Sequence, residues 1–177
     1  NMKKISLLMT IFLTFKIFSL TIDNLSDQRA KWEMFTDAVM GGVSTGNFLE
    51  LNEKEINFYR LLGEVSTKNN GGFIQFRTKT KLKNTNFEGI KIKVRGNNSE
   101  YFIHVRTGTT IFPWDYYASS FTASSQWKVV TLPFSSFKKS SWRLPTKVRS
   151  SKIKSIGVVA FGKDFQAEID LANIKLY

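Results

Sequence analysis

The sequence predicts an all-β fold in which two sheets pack face to face. Beyond residue 22 no helical period of apolar residues appears, and short β-type runs instead alternate with turn residues. Such a series of short strands with polar turns favours a two-sheet sandwich. Sixteen phenylalanines and no cysteine mean that packing, and not disulfides, must hold the core together.

Residues 2–20 have the pattern of an export signal. Two lysines precede an apolar run that has about the length of a signal-peptide core. Lys16 ends this run, which leaves it too short for an ordinary membrane span of about 20 residues. We therefore expect a signal peptide or an N-terminal membrane anchor over residues 1–22, a linker over 23–31 and one domain over 32–177.

The charge of the chain narrows the choice of partners. Its formal net charge is +12, which favours an anionic glycan, an acidic protein surface or an anionic membrane. No run of five or more basic residues occurs, so nucleic acid is not expected. The leader predicts an exported protein that is periplasmic or secreted, or is held at the membrane by its N-terminal segment.

Each strand is predicted from alternation between turn signals. A hairpin is expected where the turn over residues 52–54 joins two of the runs, and Pro133 ends another run by removing a backbone donor. The expected strands are 48–51, 56–62, 73–78, 90–95, 101–107, 116–122, 127–132, 153–161, 165–171 and 174–177. The clearest alternation is over 90–95, and with 101–107 it predicts a hairpin within one sheet.

Residues 32–44, WEMFTDAVMGGVS, are the most distinctive segment. We expect Trp32 and Phe35 to anchor it in the core. A phosphate cradle would need a helix after the glycines, but a strand follows them. The glycine pair is therefore expected to allow positive φ and tight packing, while the preceding acid braces loop amides. The residues assigned to this structural motif are Trp32, Asp37, Met40, Gly41, Gly42 and Ser44.

The order of several motifs resembles the complex I intermediate-associated protein 30 family. The resemblance covers residues 32–177, and its most specific piece is DAVMGGVS at residues 37–44. The other pieces are Trp32, NGGF at 70–73 leading to Phe76-Arg77, FEGI at 87–90, VRG at 94–96, the Tyr101 strand, residues 117–121, Trp127, LPF at 132–134, Phe137, residues 156–157 and 165–169. The resemblance implies a jelly-roll sandwich similar to galactose-binding domains. It also implies a binding or assembly domain, as in the mitochondrial members that assist assembly of respiratory complex I.

Catalysis finds little support in the sequence. The chain has one histidine, His104, and no cysteine, and no Gly-x-Ser-x-Gly element is present. Asp164, Glu168 and Asp170 lie close together but lack the pattern of a calcium loop. We therefore expect no enzyme, no catalytic residue, no cofactor and no metal.

A basic sheet face is the predicted binding site. Cationic side chains on the strands over 73–78, 90–95 and 101–107 alternate with apolar ones, so they point away from the core. If these strands are neighbours, aromatic loop residues would wall a cationic floor that suits a carboxylate-bearing glycan or a peptide. The alternative is an ordinary solvated face. The residues assigned to this site are Arg77, Lys93, Arg95, His104, Arg106, Trp114 and Tyr116.

Three functions follow from these expectations. The first is a non-enzymatic sandwich that binds a protein partner or a glycan in the cell envelope. The second is an assembly factor or chaperone for a membrane complex similar to NADH dehydrogenase. The third is a carbohydrate-active enzyme or its accessory domain.

Overall fold

The computed structural model describes residues 18–82 and 86–177, and its regular structure is twelve β-strands with four short 3₁₀ turns. The strands are β1 (Leu20–Asp23), β2 (Trp32–Thr36), β3 (Thr45–Glu53), β4 (Ile56–Val65), β5 (Phe73–Lys79), β6 (Gly89–Gly96), β7 (Glu100–Thr107), β8 (Tyr117–Thr122), β9 (Lys128–Pro133), β10 (Lys138–Lys139), β11 (Ile153–Phe161) and β12 (Phe165–Leu176). The 3₁₀ turns are Asp37–Met40, Lys68–Asn70, Phe134–Ser136 and Ser150–Lys152. In this part of the chain, no helix is long and apolar enough to cross a bilayer.

The strands form two six-stranded antiparallel sheets, which confirms the predicted all-β sandwich. The first sheet has the order β3-β4-β12-β6-β9, with β1 also paired to β12. The second sheet has the order β10-β8-β7-β11-β5-β2. The core lies between them, where alternate residues of β6 and β7 supply Ile92, Val94, Ile103 and Val105, each exposed to 1% or less.

The predicted hairpin between residues 90–95 and 101–107 is wrong. β6 pairs with β9 and β12 in the first sheet, while β7 pairs with β8 and β11 in the second. After Gly96 the chain crosses from one sheet to the other, and the crossing is fixed by a 2.8 Å hydrogen bond from Asn98 N to Ala123 O. The apolar faces of the two strands therefore meet across the core instead of lying side by side.

The last strand is longer than predicted, because residues 165–171 and 174–177 belong to the single strand β12. Its register with β6 shifts between Leu171 and Asn173, and Ala172 there is buried. A bulge inserts one residue and reverses the alternation of inward and outward side chains. The sequence pattern therefore breaks at a place where the strand itself continues.

The N-terminal boundary also differs from the expectation. β1 begins at Leu20, inside the predicted leader, and in the predicted linker Asp23 and Leu25 are buried against the domain while residues 26–29 are exposed. The fully buried Asp23 accepts hydrogen bonds from Leu25 N at 2.7 Å, Ala30 N at 2.9 Å and Trp32 Nε1 at 2.7 Å. The Asp23 carboxylate therefore fixes the conformation of the polar segment that the sequence predicts to be a linker. Most of the predicted leader, residues 1–17, lies outside the described residues, so the signal peptide or anchor stays a prediction.

Of the two predicted aromatic anchors, only Trp32 reaches the core. Its ring packs edge-on against Phe76, with 5.0 Å between the ring centroids. Phe35 points the other way, because it pairs with Gln75 on the outer face of the second sheet. There its ring lies 4.5 Å below the guanidinium carbon of Arg77.

Candidate functional site

The fold divides the predicted cationic floor between two opposite surfaces. Arg77 on β5 and both His104 and Arg106 on β7 belong to the outer face of the second sheet. Lys93 and Arg95 on β6 belong to the outer face of the first sheet, on the far side of the sandwich. The predicted single site is therefore corrected, since β6 and β7 are not neighbours.

On the first sheet, Arg60 and Arg95 are neutralised by acids of the protein itself. Asp170, whose side chain is 2% exposed, accepts hydrogen bonds from Arg60 Nε at 2.6 Å and from Arg95 Nε at 2.7 Å. Arg95 also pairs with Glu53. Burial lowers the pKa of Arg95, but the bonds to Asp170 and Glu53 outweigh burial and raise it above its ordinary value. This arrangement is a structural ion network.

Aromatic rings complete that network. Phe58 is 2% exposed and lies below the guanidinium carbons of Arg60, at 5.5 Å, and Arg95, at 5.1 Å. Lys93 Nζ lies 5.7 Å from the ring centroid of Trp127. Such cation–π contacts add to the cohesion of the face. We therefore place the candidate site on the second sheet.

The outer face of the second sheet contains a groove of about 600 Å³, here named the basic groove. Its lining residues come from the C-terminal end of β5 and the segment after it, the C-terminal end of β7, and the start of β11. They are Arg77, Lys79, Thr80, Lys81, Leu82, Arg106, Thr107, Thr110, Ile153, Lys154 and Ser155. Five of these eleven residues are cations, and no acid occurs among the described lining.

Two arginines of the basic groove lie close enough to affect each other. Burial lowers the pKa of Arg106, and the positive charge of Arg77 lowers it further, while Asp115 acts in the opposite sense. No ion pair within 4 Å joins Arg77 or Arg106 to an acid in the described ranges. The groove is therefore electrostatically prepared for an anion.

Arg106 also holds an aromatic loop at the end of the groove. Its Nη1 and Nη2 donate to Pro113 O at 2.9 Å and Phe112 O at 2.6 Å. The rings of Phe112 and Trp114 stack with 5.2 Å between centroids and an angle of 8°, and Trp114 is 58% exposed. We name these two rings the aromatic platform. The guanidinium carbon of Arg143, 4.6 Å from the Phe112 ring centroid, supports it from the next loop.

His104 and Tyr116 form a covered part of the same face. Their rings stack at a centroid distance of 4.1 Å, and the Phe161 ring lies edge-on to the imidazole with 5.9 Å between the centroids. His104 Nε2 is buried, with no hydrogen-bond partner among the residues that the structure describes. Burial, with a smaller contribution from Arg106, lowers the pKa of His104 to about 3. The imidazole is therefore neutral at physiological pH and packs as an aromatic side chain.

The pH dependence of stability is expected to show this burial. In the unfolded chain His104 binds a proton near its ordinary pKa of 6.5, whereas in the fold it stays neutral down to about 3. The unfolded state therefore gains protons first, and the contribution present above pH 6.5 is lost as the pH falls towards 3. His104→Phe keeps an aromatic ring against Tyr116, and urea titrations should give it a shallower loss of stability over this range. An unchanged slope would contradict the burial of a neutral imidazole.

The segment over residues 37–44 is not part of the groove. Asp37 is fully buried and accepts hydrogen bonds from Ser44 N at 2.9 Å, Ser44 Oγ at 2.5 Å and Gly72 N at 2.6 Å. A fourth donor, Phe73 N, lies at 3.3 Å. Burial raises the pKa of Asp37, but these donors outweigh burial and hold it below its ordinary value. The carboxylate thus fastens two glycine turns together, in the role of the predicted brace.

The glycines give the carboxylate its space. A Cβ on Gly42 would lie 2.3 Å from Asp37 Cγ, and a Cβ on Gly71 would lie 2.4 Å from Asp37 Oδ2. Gly41 adopts a positive φ of 87° that ends the 3₁₀ turn, and Met40 beside it is 56% exposed. Trp32, Asp37, Gly42 and Ser44 are therefore structural, whereas Met40 faces solvent.

Sequence reasoning missed Lys79, Lys81, Lys154 and Phe112. A signal was present for the first two, since Arg77, Lys79 and Lys81 alternate with threonines and so continue the outward face beyond the predicted end at Thr78. The position of Lys154 depends on β11 lying next to β5, which the sequence does not show. No group of three or more histidine or acidic residues able to hold a metal ion occurs in residues 18–82 and 86–177.

Comparison with protein families gives one result. Residues 21–171 match the family described as Complex I intermediate-associated protein 30. Comparison with the curated proteins gives no match.

Comparison with solved structures confirms the jelly-roll fold. A family 11 carbohydrate-binding module of the cellulosomal cellulase Lic26A-Cel5E of Clostridium thermocellum is 16% identical with a TM-score of 0.73, covering 92% of this chain and 95% of that one. The family 11 module from the same organism in complex with a β-1,3-1,4-mixed-linked tetrasaccharide is 17% identical with a TM-score of 0.67, covering 89% and 94%. The family 30 module of its cellulosomal cellulase Cel9D-Cel44B is 9% identical with a TM-score of 0.63, covering 91% and 98%. At these identities the likeness is one of fold.

Proposed function

We propose, from the premise that this chain belongs to the complex I intermediate-associated protein 30 family, that it is a non-enzymatic domain that binds a glycan. The observation that carries the proposal is the basic groove with the aromatic platform at its end. Sugars present apolar ring faces and many hydroxyl groups, so a glycan site needs flat aromatic surfaces beside fixed hydrogen-bond donors. The outer face of the second sheet offers both.

The aromatic platform supplies the flat surface. The side chain of Trp114 is 58% exposed. Removing this apolar ring from water on binding a ligand would be favourable. Its stacking on Phe112 and the two bonds from Arg106 to the loop carbonyls fix its position before any ligand arrives. A fixed platform avoids the entropy cost of ordering a loop on binding.

The titratable groups support a role without catalysis. His104 is held neutral by burial, which lowers its pKa to about 3, so it is poorly suited to general acid or base chemistry near neutral pH. The buried carboxylates Asp23, Asp37 and Asp170 accept hydrogen bonds from protein donors. These acids stabilise the fold and do not face the groove.

The structural neighbours support the choice of ligand class. Two of them are family 11 carbohydrate-binding modules, and one of these was solved with a β-1,3-1,4-mixed-linked tetrasaccharide. Since the likeness is one of fold, it supports a glycan as the class of ligand without assigning which one. The residues that would bind it in this chain come from its own groove and platform.

Replacing the exposed indole tests the proposal. Trp114→Ala is expected to weaken binding of mixed-linkage β-1,3-1,4-glucan or polygalacturonate about two- to tenfold, because stacking of this kind is worth roughly 0.5–1.5 kcal/mol. Calorimetric titration of the purified protein measures the effect.

The matched control is Trp142→Ala. This indole is 84% exposed and has no ring stacking with another aromatic among the described residues. Equal losses in the two variants, or no binding of either polymer by the unchanged protein, would count against the proposal.

A protein partner is the second candidate, and a separate apolar surface favours it. Val39, Met40 and Val43 are exposed by 72%, 56% and 47% beside the Asp37 brace. Exposed apolar clusters of this kind often mark protein contacts. Under this alternative, which includes assembly of a membrane complex, Met40→Ser should abolish co-purification of one defined envelope protein while leaving glycan binding unchanged. A partner retained by this variant would argue against the surface.

An exported location, periplasmic or secreted, remains part of the proposal. It is supported by Lys3 and Lys4 and by the apolar run over residues 5–15 that follows them, which has the length of a signal-peptide core. Because β1 begins at Leu20, cleavage of a signal before this residue would leave the strand intact. N-terminal sequencing of the protein from fractionated cells should find a start after the apolar run and no later than residue 20, and an uncleaved chain in the cytoplasm would oppose export.

A further inference from the structure

We infer that the basic groove holds the carboxylate or sulfate group of an acidic glycan between Arg77 and Arg106. The inference rests on the proposed function, and it adds the chemical class of the ligand and the two residues that recognise its charge. Guanidinium groups bind carboxylate and sulfate oxygens through paired N–H donors, so two of them facing one groove define an anion site.

Nearby acids form no ion pair with Arg77 or Arg106 in residues 18–82 and 86–177, although Asp115 partly offsets the charge on Arg106. Glu33 lies opposite Arg77 across β2 and β5, but no ion pair joins them in the described part of the chain. Asp115 is directed elsewhere, since its Oδ2 accepts from Phe112 N at 3.2 Å and its Oδ1 lies 3.5 Å from Arg143 Nη2. Lys79, Lys81 and Lys154 add further positive charge around the two arginines.

The first sheet shows how this protein neutralises two arginines when they serve structure. There the central strand β12 places Asp170 opposite both Arg60 on β4 and Arg95 on β6. Hydrogen bonds of 2.6 Å to Arg60 Nε and 2.7 Å to Arg95 Nε join the three side chains. A carboxylate on the strand between two arginines therefore removes their repulsion.

The second sheet has a related arrangement, but it is offset along the strand and lacks the carboxylate. Its central strand β11 lies between β5 and β7, where Gly157 is opposite Arg77 and His104, and Ser155 is opposite Lys79 and Arg106. Neither Gly157 nor Ser155 carries a charge, so β11 supplies no carboxylate to the two arginines, and an anion from outside can take that role. A ligand carboxylate between the two arginines would offset the positive charge of Arg77, which adds to the lowering of the Arg106 pKa by burial.

Both arginines are held in position for such a ligand. Arg106 donates two of its five N–H groups to the carbonyl oxygens of Phe112 and Pro113, and the other three N–H groups remain for a ligand. Arg77 rests on the ring of Phe35 at 4.5 Å and is half-buried. The groove of about 600 Å³ lies within the usual range for small-ligand sites, roughly 300–1,000 Å³.

Two matched pairs of polymers test the inference with the full chain. Polygalacturonate is compared with its methyl ester, and dextran sulfate with dextran, by calorimetric titration at fixed ionic strength. We expect the acidic member of at least one pair to bind about tenfold or more tightly than its neutral partner, as hydrogen bonds to a charged group allow. Arg77→Gln should remove this preference. Lys128→Gln, which removes one exposed charge from the opposite sheet, should keep it.

A second variant supplies the missing carboxylate from within the protein. Gly157→Asp places a carboxylate on β11 directly opposite Arg77, so it should abolish the preference for acidic polymers. A Cβ at this position would lie 3.3 Å from Gln75 Oε1, so a small adjustment of that side chain accommodates it. Gly157→Asn is the comparison of equal size without the charge, so its preference for acidic polymers should be larger than that of Gly157→Asp. Thermal melts of all variants establish that they are folded.

The outcomes separate the inference from the proposed function. Equal binding of acidic and neutral polymers, or a preference that survives in Arg77→Gln, overturns the anion site and leaves a neutral-glycan domain standing. Absence of binding to all four polymers and to mixed-linkage β-glucan overturns both. A preference that is lost in Arg77→Gln and Gly157→Asp, kept in Lys128→Gln and larger in Gly157→Asn than in Gly157→Asp supports both.

Discussion

Gly42→Val is expected to reduce the free energy of unfolding by about 4 kcal/mol or more, which is enough to unfold many domains of this size. The first atom of the new side chain would lie 2.3 Å from Asp37 Cγ and 2.4 Å from Asp37 Oδ1. Asp37 cannot move away without breaking its hydrogen bonds to Ser44 and Gly72. Urea denaturation followed by tryptophan fluorescence measures the loss.

Gly41→Ala is the matched control for this substitution. Gly41 has a φ of 87°, but no atom lies within 4 Å of the position that its Cβ would take. Only backbone strain opposes the change, so the expected loss is about 1 kcal/mol. Equal losses at the two positions would mean that the glycine pair serves backbone conformation alone, and normal stability of Gly42→Val would refute the role of the brace.

Asp37→Asn is expected to cost about 3 kcal/mol or more, since a buried carboxylate is replaced by a group that brings its own N–H donors towards other donors. Two of the four hydrogen bonds to Asp37 come from Gly72 N and Phe73 N, so the loss should also loosen the start of β5. Asp27→Asn, at an exposed position, is the control and should change stability little. Urea denaturation compares the two.

The same variant should change how stability depends on pH. The pKa of Asp37 in the fold lies below its ordinary value of 3.8, so the unfolded chain takes up the proton first. The contribution of Asp37 is therefore fully present above 3.8 and is lost as the pH falls through its folded pKa. Wild-type protein should lose more stability than Asp37→Asn between neutral pH and about pH 3. Parallel curves would contradict the brace.

The strands were predictable because their signal is local. Alternation over residues 90–95 and 101–107 correctly placed Ile92, Val94, Ile103 and Val105 in the core. Alternation does not say which strand lies beside which, because either pairing buries the same side chains. For this reason the sequence wrongly joined Lys93 and Arg95 to Arg77, His104 and Arg106 in one site.

The candidate site was likewise only partly predictable from the sequence. The Asp37 brace was predictable, since an acid followed by two glycines is a short-range pattern. The neutralisation of Arg95 was not, because its partner Asp170 is 75 residues away in sequence. The basic groove likewise needs β5, β11 and β7 to be neighbours, and the resemblance to a known family gave the fold without that site.

The central claim is that ligand binds the outer face of the second sheet. Chemical-shift mapping by NMR of the labelled protein, with oligogalacturonate and with a β-1,3-1,4-linked glucan oligosaccharide, tests it most directly. We expect the largest chemical-shift changes on the indole of Trp114 and on the side chains of Arg77 and Arg106. Changes centred on Lys93, Arg95 and Trp127 of the first sheet, or no changes with either oligosaccharide, would contradict it.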